Sequence, residues 1–138
     1  MTAKEYLRRI RDAQQELRQL EMEYQQARND VLHLRSIAYA GERITISRTG
    51  DLSDAIAALE NYAERVNAQW DRLIVLRIDA KALIMRIPDG RYRAVLLGRY
   101  LYGQSWEQVA VSMGYTYRNV LGLHGKALQS FAVVGKFS

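Results

Sequence analysis

Apolar residues recur every three or four positions through the first 39 residues. One set is Ala3, Ile10, Leu17, Tyr24, Val31 and Ala38; the other is Tyr6, Ala13, Leu20, Ala27 and Leu34. Unbroken heptads of this kind predict a long amphipathic helix over 2–39 that pairs along its seam as coiled coils do. Thr2-Ala3-Lys4-Glu5 reads as a capping box that starts it, the Thr2 hydroxyl accepting from the Glu5 amide while Glu5 reaches back. The Arg, Gln and Glu residues between the apolar ones form a solvated face. His33 lies off the seam and reads as a solvated or packing histidine.

The pattern breaks at residues 40–50, which Gly41 and Gly50 bracket. This stretch is expected to be a hairpin loop, and Ile44-Thr45-Ile46 favours extended backbone within it. A second helix is predicted over 52–87. Its seam runs Leu52, Ala55, Leu59, Tyr62, Val66, Gln69, Leu73, Leu76, Ala80, Leu83 and Ile87, with only Gln69 polar. Two matched helices joined by one short connection suit an antiparallel pair. Ile56, Trp70 and Ile84 lie off that seam and need a cover, from the C-terminal helices or from a second chain; a homodimer is expected. Pro88-Asp89-Gly90 then stops the helix, since proline disfavours helical geometry at the residue before it. The expected division is a helical hairpin over 1–87 and a separate domain over 88–138.

Residues 91–131 divide into three shorter helices. The first spans Arg91 to Tyr102 and presents Val95, Leu96, Leu97, Tyr100 and Leu101, with Gly103 as the residue that ends it. Ser105-Trp106-Glu107-Gln108 is a second capping box. It opens a short helix expected to bury Trp106, Val109, Ala110 and Met113, and Gly114 ends that helix. Tyr115 leads, as a core residue, to Thr116, which caps a last helix burying Val120, Leu123, Ala127, Leu128 and Phe131. A short helix, a tight glycine-containing turn and a longer helix follow the helix-turn-helix plan, in which the second helix projects far enough to enter a DNA major groove. The expected fold is therefore all-α.

Charge changes the picture in one region only. Residues 1–51 hold 9 Lys/Arg against 8 Asp/Glu, and residues 52–87 hold 5 against 5. Residues 88–138 hold 6 against 2, a net of +4 out of the chain's +5. A basic module beside a neutral one points to a polyanionic partner. The chain has no cysteine, which removes disulfides and thiolate metal sites, and its two histidines are not at ligand spacing. No apolar run is long enough for a membrane span, and no secretory signal is recognisable at the start, so a cytoplasmic location is expected. Catalysis finds no support. The two carboxylates of the basic region pair with neither His nor Ser, and Gly122 and Gly125 lie inside a helix rather than in a phosphate-cradling loop. Neither an enzyme, a cofactor nor a metal is expected.

Residues 97–128, running from Leu-Gly-Arg-Tyr-Leu-Tyr-Gly through Ser-Trp-Glu-Gln-Val-Ala and Met-Gly-Tyr-Thr to Gly-Lys-Ala-Leu, resemble region 4 of sigma-70 factors. Nearly the whole chain, with its Thr-Ala-Lys-Glu-Tyr-Leu start and Pro-Asp-Gly-Arg-Tyr-Arg junction, also resembles small phage proteins of Gram-positive bacteria, grouped with late transcriptional regulators of the ArpU/RinA type. The resemblance implies a phage-type transcriptional regulator in a bacterial host that binds double-stranded DNA and touches RNA polymerase. It places Thr116, Tyr117, Arg118, Leu121, Gly122, Gly125 and Lys126 toward the groove. His124, near Lys126 on the same helix, is a candidate phosphate contact, with surface or packing use as the alternative. Leu121 and Gly122 depart from the polar side chains usual there, which implies weak base discrimination. Arg91, Arg93 and Arg99 on the first short helix either contact phosphate or polymerase or form a solvated face. Two other readings compete: a small-terminase-like DNA-packaging subunit, and a helical adaptor that binds protein and no DNA.

Overall fold

The computed structural model describes the backbone of residues 1–39 and 46–138, and side chains outside 38–49. Among the described residues every element is a helix: α1 (Ala3–Tyr39), α2 (Ile46–Ile84), α3 (Gly90–Leu96), a π-helical segment (Leu97–Leu101), α4 (Trp106–Met113) and α5 (Tyr117–Gly135). The long pair α1 and α2 forms the expected hairpin-like arrangement. The capping box is made as the sequence predicts: the Glu5 amide donates to Thr2 Oγ1 at 3.2 Å and the Thr2 amide to Glu5 Oε2 at 3.0 Å. The second long helix starts earlier than expected. Residues 46–50 are helical rather than loop, and a single interior glycine such as Gly50 costs a helix only about 1 kcal/mol. Ile46 opens α2, so no strand includes it; Ile44 and Thr45 lie outside the described residues.

The chain forms two compact units: residues 15–71, and residues 1–14 together with 72–138. These differ from the division at Pro88 that the helix stop suggests. The ends of both long helices share a unit with the C-terminal helices.

In the 15–71 unit, α1 buries Leu17, Leu20, Ala27 and Val31. The facing α2 positions Leu52, Ala55, Leu59, Tyr62 and Val66 are only half-buried, and Gln69 is buried. Two helices alone shield one stripe each, so this unit has a seam rather than a closed core. Ile56 is half-buried and Trp70 stays 40% exposed. His33 is exposed.

The other unit has a core of the ordinary kind. Leu7, Leu73, Ala80, Ile84, Val95, Leu96, Val120 and Phe131 are all fully buried. Ile84, expected to need a cover from the C-terminal helices or a second chain, is buried within this unit. Leu7 belongs to neither heptad set, yet it is sealed because α1 meets more than one neighbour within this unit. The outward side of α2 remains apolar: Ile74, Val75, Ile78 and Met85 are each about half exposed. No helix is long and apolar enough to cross a membrane among the described residues.

Candidate nucleic-acid interface

The C-terminal helices are held by local devices, each readable from a few residues. Asp89 caps α3, its carboxylate accepting from the Arg91 amide at 2.8 Å and from the Arg91 guanidinium at 3.1 Å. Those bonds hold the Asp89 carboxyl below the usual carboxylate range. Arg93 turns back to the carbonyls of Ile87 and Pro88, closing the corner. The helix predicted as one piece over 91–102 instead widens into the π-helical segment at Leu97, where the Tyr102 amide reaches the Leu97 carbonyl at 2.9 Å. Gly98 sits at that widening. A Cβ there would come within 2.8 Å of Gln104 Oε1 and 3.3 Å of Val109, so the α4 side packs directly on its backbone.

The exposed carbonyls that follow are satisfied from a distance. Arg11 of α1 donates to the Arg99 carbonyl at 2.7 Å and to the Gln104 carbonyl at 3.4 Å. The heptad pattern puts Arg11 on the solvated face, and nothing in its spacing marks it out. Arg99 also donates to the Gln104 carbonyl and lies 4.3 Å over the Trp106 ring. Burial, then the neighbouring Arg11, lowers its pKa. Arg99 and Arg93 are thus structural cations rather than free contacts for phosphate.

Ser105 and Gln108 form the second capping box, with reciprocal bonds of 3.1 and 2.8 Å. Gly114 adopts φ +69°, the left-handed conformation that glycine takes without penalty, and the chain turns. Thr116 then caps α5 by accepting from the Asn119 amide at 3.2 Å. These bonds fix where α5 begins and how it leaves the turn. The core beneath joins Val95, Val109, Ala110 and Val120, with Trp106, Met113 and Leu123 half-buried around it. Leu128 is likewise half-buried rather than sealed. At the far end of α5, Phe137 stacks on Phe131 at 5.3 Å and meets Tyr6 at 4.8 Å.

Of the residues singled out on α5, seven share its outer side: Thr116, Tyr117, Arg118, Leu121, Gly122, Gly125 and Lys126 are all exposed. The eighth, His124, does not join them. It is buried, its Nε2 lies 2.8 Å from the Tyr100 hydroxyl, and its ring meets the Trp106 ring edge-on at 4.6 Å. Burial, helped by the cations Lys4 and Arg99, pushes its pKa down to about 4. A neutral, covered imidazole is no phosphate contact. Its position was legible, because Val120, His124, Ala127 and Phe131 fall on one stripe at spacings of four, three and four. Tyr115 departs in the other direction: expected in the core, it is 38% exposed beside the turn.

Arg118 and Lys126 have no hydrogen bond or ion pair among the described residues. Together with Arg91, Tyr115, Asn119, Gly122 and Leu123 they line an open groove of about 440 Å³ with no carboxylate in its wall. The Asp89 bonds, and a smaller contribution from Tyr115, keep Arg91 firmly cationic. Chemically the arrangement offers fixed positive charge and a bare helix surface; it offers no nucleophile beside a base. No group of His, Asp and Glu among the described residues could hold a metal ion. No protein-family model matches the chain, and no curated protein or solved structure matches it.

Proposed function

We propose that this chain binds duplex DNA through the outer side of α5 and acts as a phage-type transcriptional regulator resembling sigma region 4. The observation that carries the reading is the contrast across α5. Its inner stripe is sealed, while its outer side holds two unpartnered cations, Arg118 and Lys126, on a helix fixed by the Gly114 turn and the Thr116 cap. A helix anchored in this way after a short helix and a turn is the form that enters a major groove. Arg118, near the start of α5, suits a base or phosphate contact, and Lys126 a phosphate. Phosphate neutralisation dominates such binding, so affinity falls steeply with salt.

Fluorescence anisotropy with labelled duplexes at two salt concentrations tests this. Lys126→Ala weakens all sequences alike and flattens the salt slope by about one unit. Arg118→Ala costs about 1–3 kcal/mol and relaxes preference at one base position if it reads a guanine. Absence of binding at low salt, or wild-type affinity in both variants, removes the DNA reading and leaves a protein-binding adaptor.

The apolar side of α2 at Ile74, Val75, Ile78 and Met85 supports a protein contact as well. We assign it to a second copy of the chain, giving a homodimer; RNA polymerase is the further partner that the resemblance supplies. Light scattering of the full chain separates the alternatives: a dimer mass supports this assignment, a large ring favours the DNA-packaging reading, and a monomer ends both.

A further inference from the structure

The groove beside α5 has a composition that the DNA reading alone does not require. Arg118, Gly122 and Lys126 stand four residues apart, so they follow one another along a single stripe of the helix. The middle member has no side chain, and a Cβ placed on it meets nothing within 4 Å. Two cations therefore flank a stretch of bare backbone at the bottom of an open groove. Arg91 closes the third side from the start of α3, with Asn119 adding an amide. Two of the Arg91 guanidinium nitrogens are committed to Asp89, which orients the group and fixes its charge. Asp89 itself does not line the groove. Arg91 is ion-paired with Asp89 at 3.1 Å, whereas Arg118 and Lys126 have no acid beside them in the groove, so an anion between those two gains attraction from both.

We propose that this groove seats a single phosphodiester of the bound DNA strand, with Arg91, Arg118 and Lys126 around it and Gly122 as its floor. The seat rests on the DNA reading above and adds two things to it. Arg91, outside α5, becomes a strand contact, and Gly122 becomes a site of close approach rather than a missing base reader. The glycine is what the chemistry needs there: a phosphate oxygen must come near the helix to lie between cations two turns apart, and any larger side chain would occupy that space.

The test compares the full-length wild type with Arg91→Gln, Gly122→Leu and, as a charge control, Arg18→Gln, which alters an exposed cation of α1 that does not line the groove. Duplex affinity is read by anisotropy, and inorganic phosphate is titrated separately while the Gly122 amide is followed by NMR. Leucine is a good helix former and the site is open, so Gly122→Leu folds, which circular dichroism checks. Arg91→Gln is expected to weaken duplex binding about 10-fold and to lower the salt slope by about one. Gly122→Leu weakens it by a similar factor without changing charge, and Arg18→Gln changes it less than about twofold. If wild type binds duplex but Arg91→Gln and Gly122→Leu behave like Arg18→Gln, the seat is wrong and the DNA reading survives. If wild type ignores duplex while millimolar phosphate shifts the Gly122 amide, the groove takes free phosphate, and both the strand seat and the DNA reading fall. If neither ligand registers, both fall as well.

Discussion

The long helical pair and the C-terminal helices hold their shapes by different means. The pair relies on repetition: seam residues such as Leu17, Leu20, Ala27 and Val31 do the same thing turn after turn, and none is unique. The C-terminal helices rely on single devices: the Asp89 cap, the Gly98 approach, the Arg11 bonds, the Gly114 turn and the Tyr100–His124 contact. Repetition spreads the stabilisation, so that each turn of the pair can be varied without moving the next. Single devices concentrate it, and in return they fix one surface, the outer side of α5, whose own residues contribute almost nothing to packing. A surface freed from packing and held in place is where binding chemistry can be placed.

The sharpest way to break this comparison is to put a charge into each region. Leu73 is fully buried in the unit that contains the C-terminal helices, whereas Leu20 lies on the two-helix seam and keeps a trace of exposure. Burying a carboxylate without a partner costs several kcal/mol unless it can reach water or neutralise. Leu73→Asp is expected to cost about 4 kcal/mol or more and Leu20→Asp about half of that, because the open seam lets water in. Urea titration followed by circular dichroism measures both. Equal losses would mean that the seam is as closed as the core, and wild-type stability in either variant would remove the seam assignment.

The next effect is specific to the C-terminal helices. His124 has a pKa of about 4 in the folded chain, set first by burial and then by Lys4 and Arg99, against about 6.5 for an exposed histidine. Because the folded value is depressed, the unfolded chain binds more protons between these limits. The contribution is fully present above pH 6.5 and is lost as pH falls toward 4. The magnitude is on the order of 1–3 kcal/mol. Unfolding free energy is therefore expected to fall between pH 7 and pH 5, and to fall less in His124→Gln. Parallel pH profiles for the two proteins would show that the imidazole is not the sensor.

How far the sequence carried follows from the same difference. The seam of α1 was legible at Leu17, Leu20 and Val31 because repetition is what periodicity detects. Leu7 was missed because the heptad describes a helix with one neighbour, and in its unit α1 has more. The three caps at Thr2, Ser105 and Thr116 were legible because each is a local bond between residues three apart. The π-helical segment was not, since Leu-Gly-Arg-Tyr-Leu carries an ordinary helical pattern and its widening depends on Gly98 meeting Val109, eleven residues later. Of the candidate interface, the seven α5 residues that the resemblance turns outward are exposed. His124 was assigned there by its neighbourhood to Lys126, although its spacing from Val120 and Phe131 already put it on the core stripe. Arg91 was already a candidate phosphate contact on its own helix, but its place beside Arg118 and Lys126 came from no pattern on α5, because it arrives from another helix.

The smallest expected effect sharpens the comparison most. Gly122 and Gly125 lie in the interior of α5, where each costs about 1 kcal/mol of helix stability relative to alanine. A Cβ at either position enters open space, so no packing term opposes the change. Gly122→Ala and Gly125→Ala should each therefore raise stability by about 0.5–1 kcal/mol, measured as a rise in melting temperature. In the long pair, Gly50→Ala should act in the same direction for the same reason, since its Cβ also meets nothing. The two regions then part in their second readout. On the proposed DNA reading the methyl added to α5 stands where a duplex would come close, so Gly122→Ala is expected to gain stability while losing DNA affinity; Gly50→Ala is expected to gain stability alone. If the α5 variants gain stability and bind duplex as tightly as wild type, the outer side of α5 tolerates a filled surface, and the glycines owe nothing to a partner.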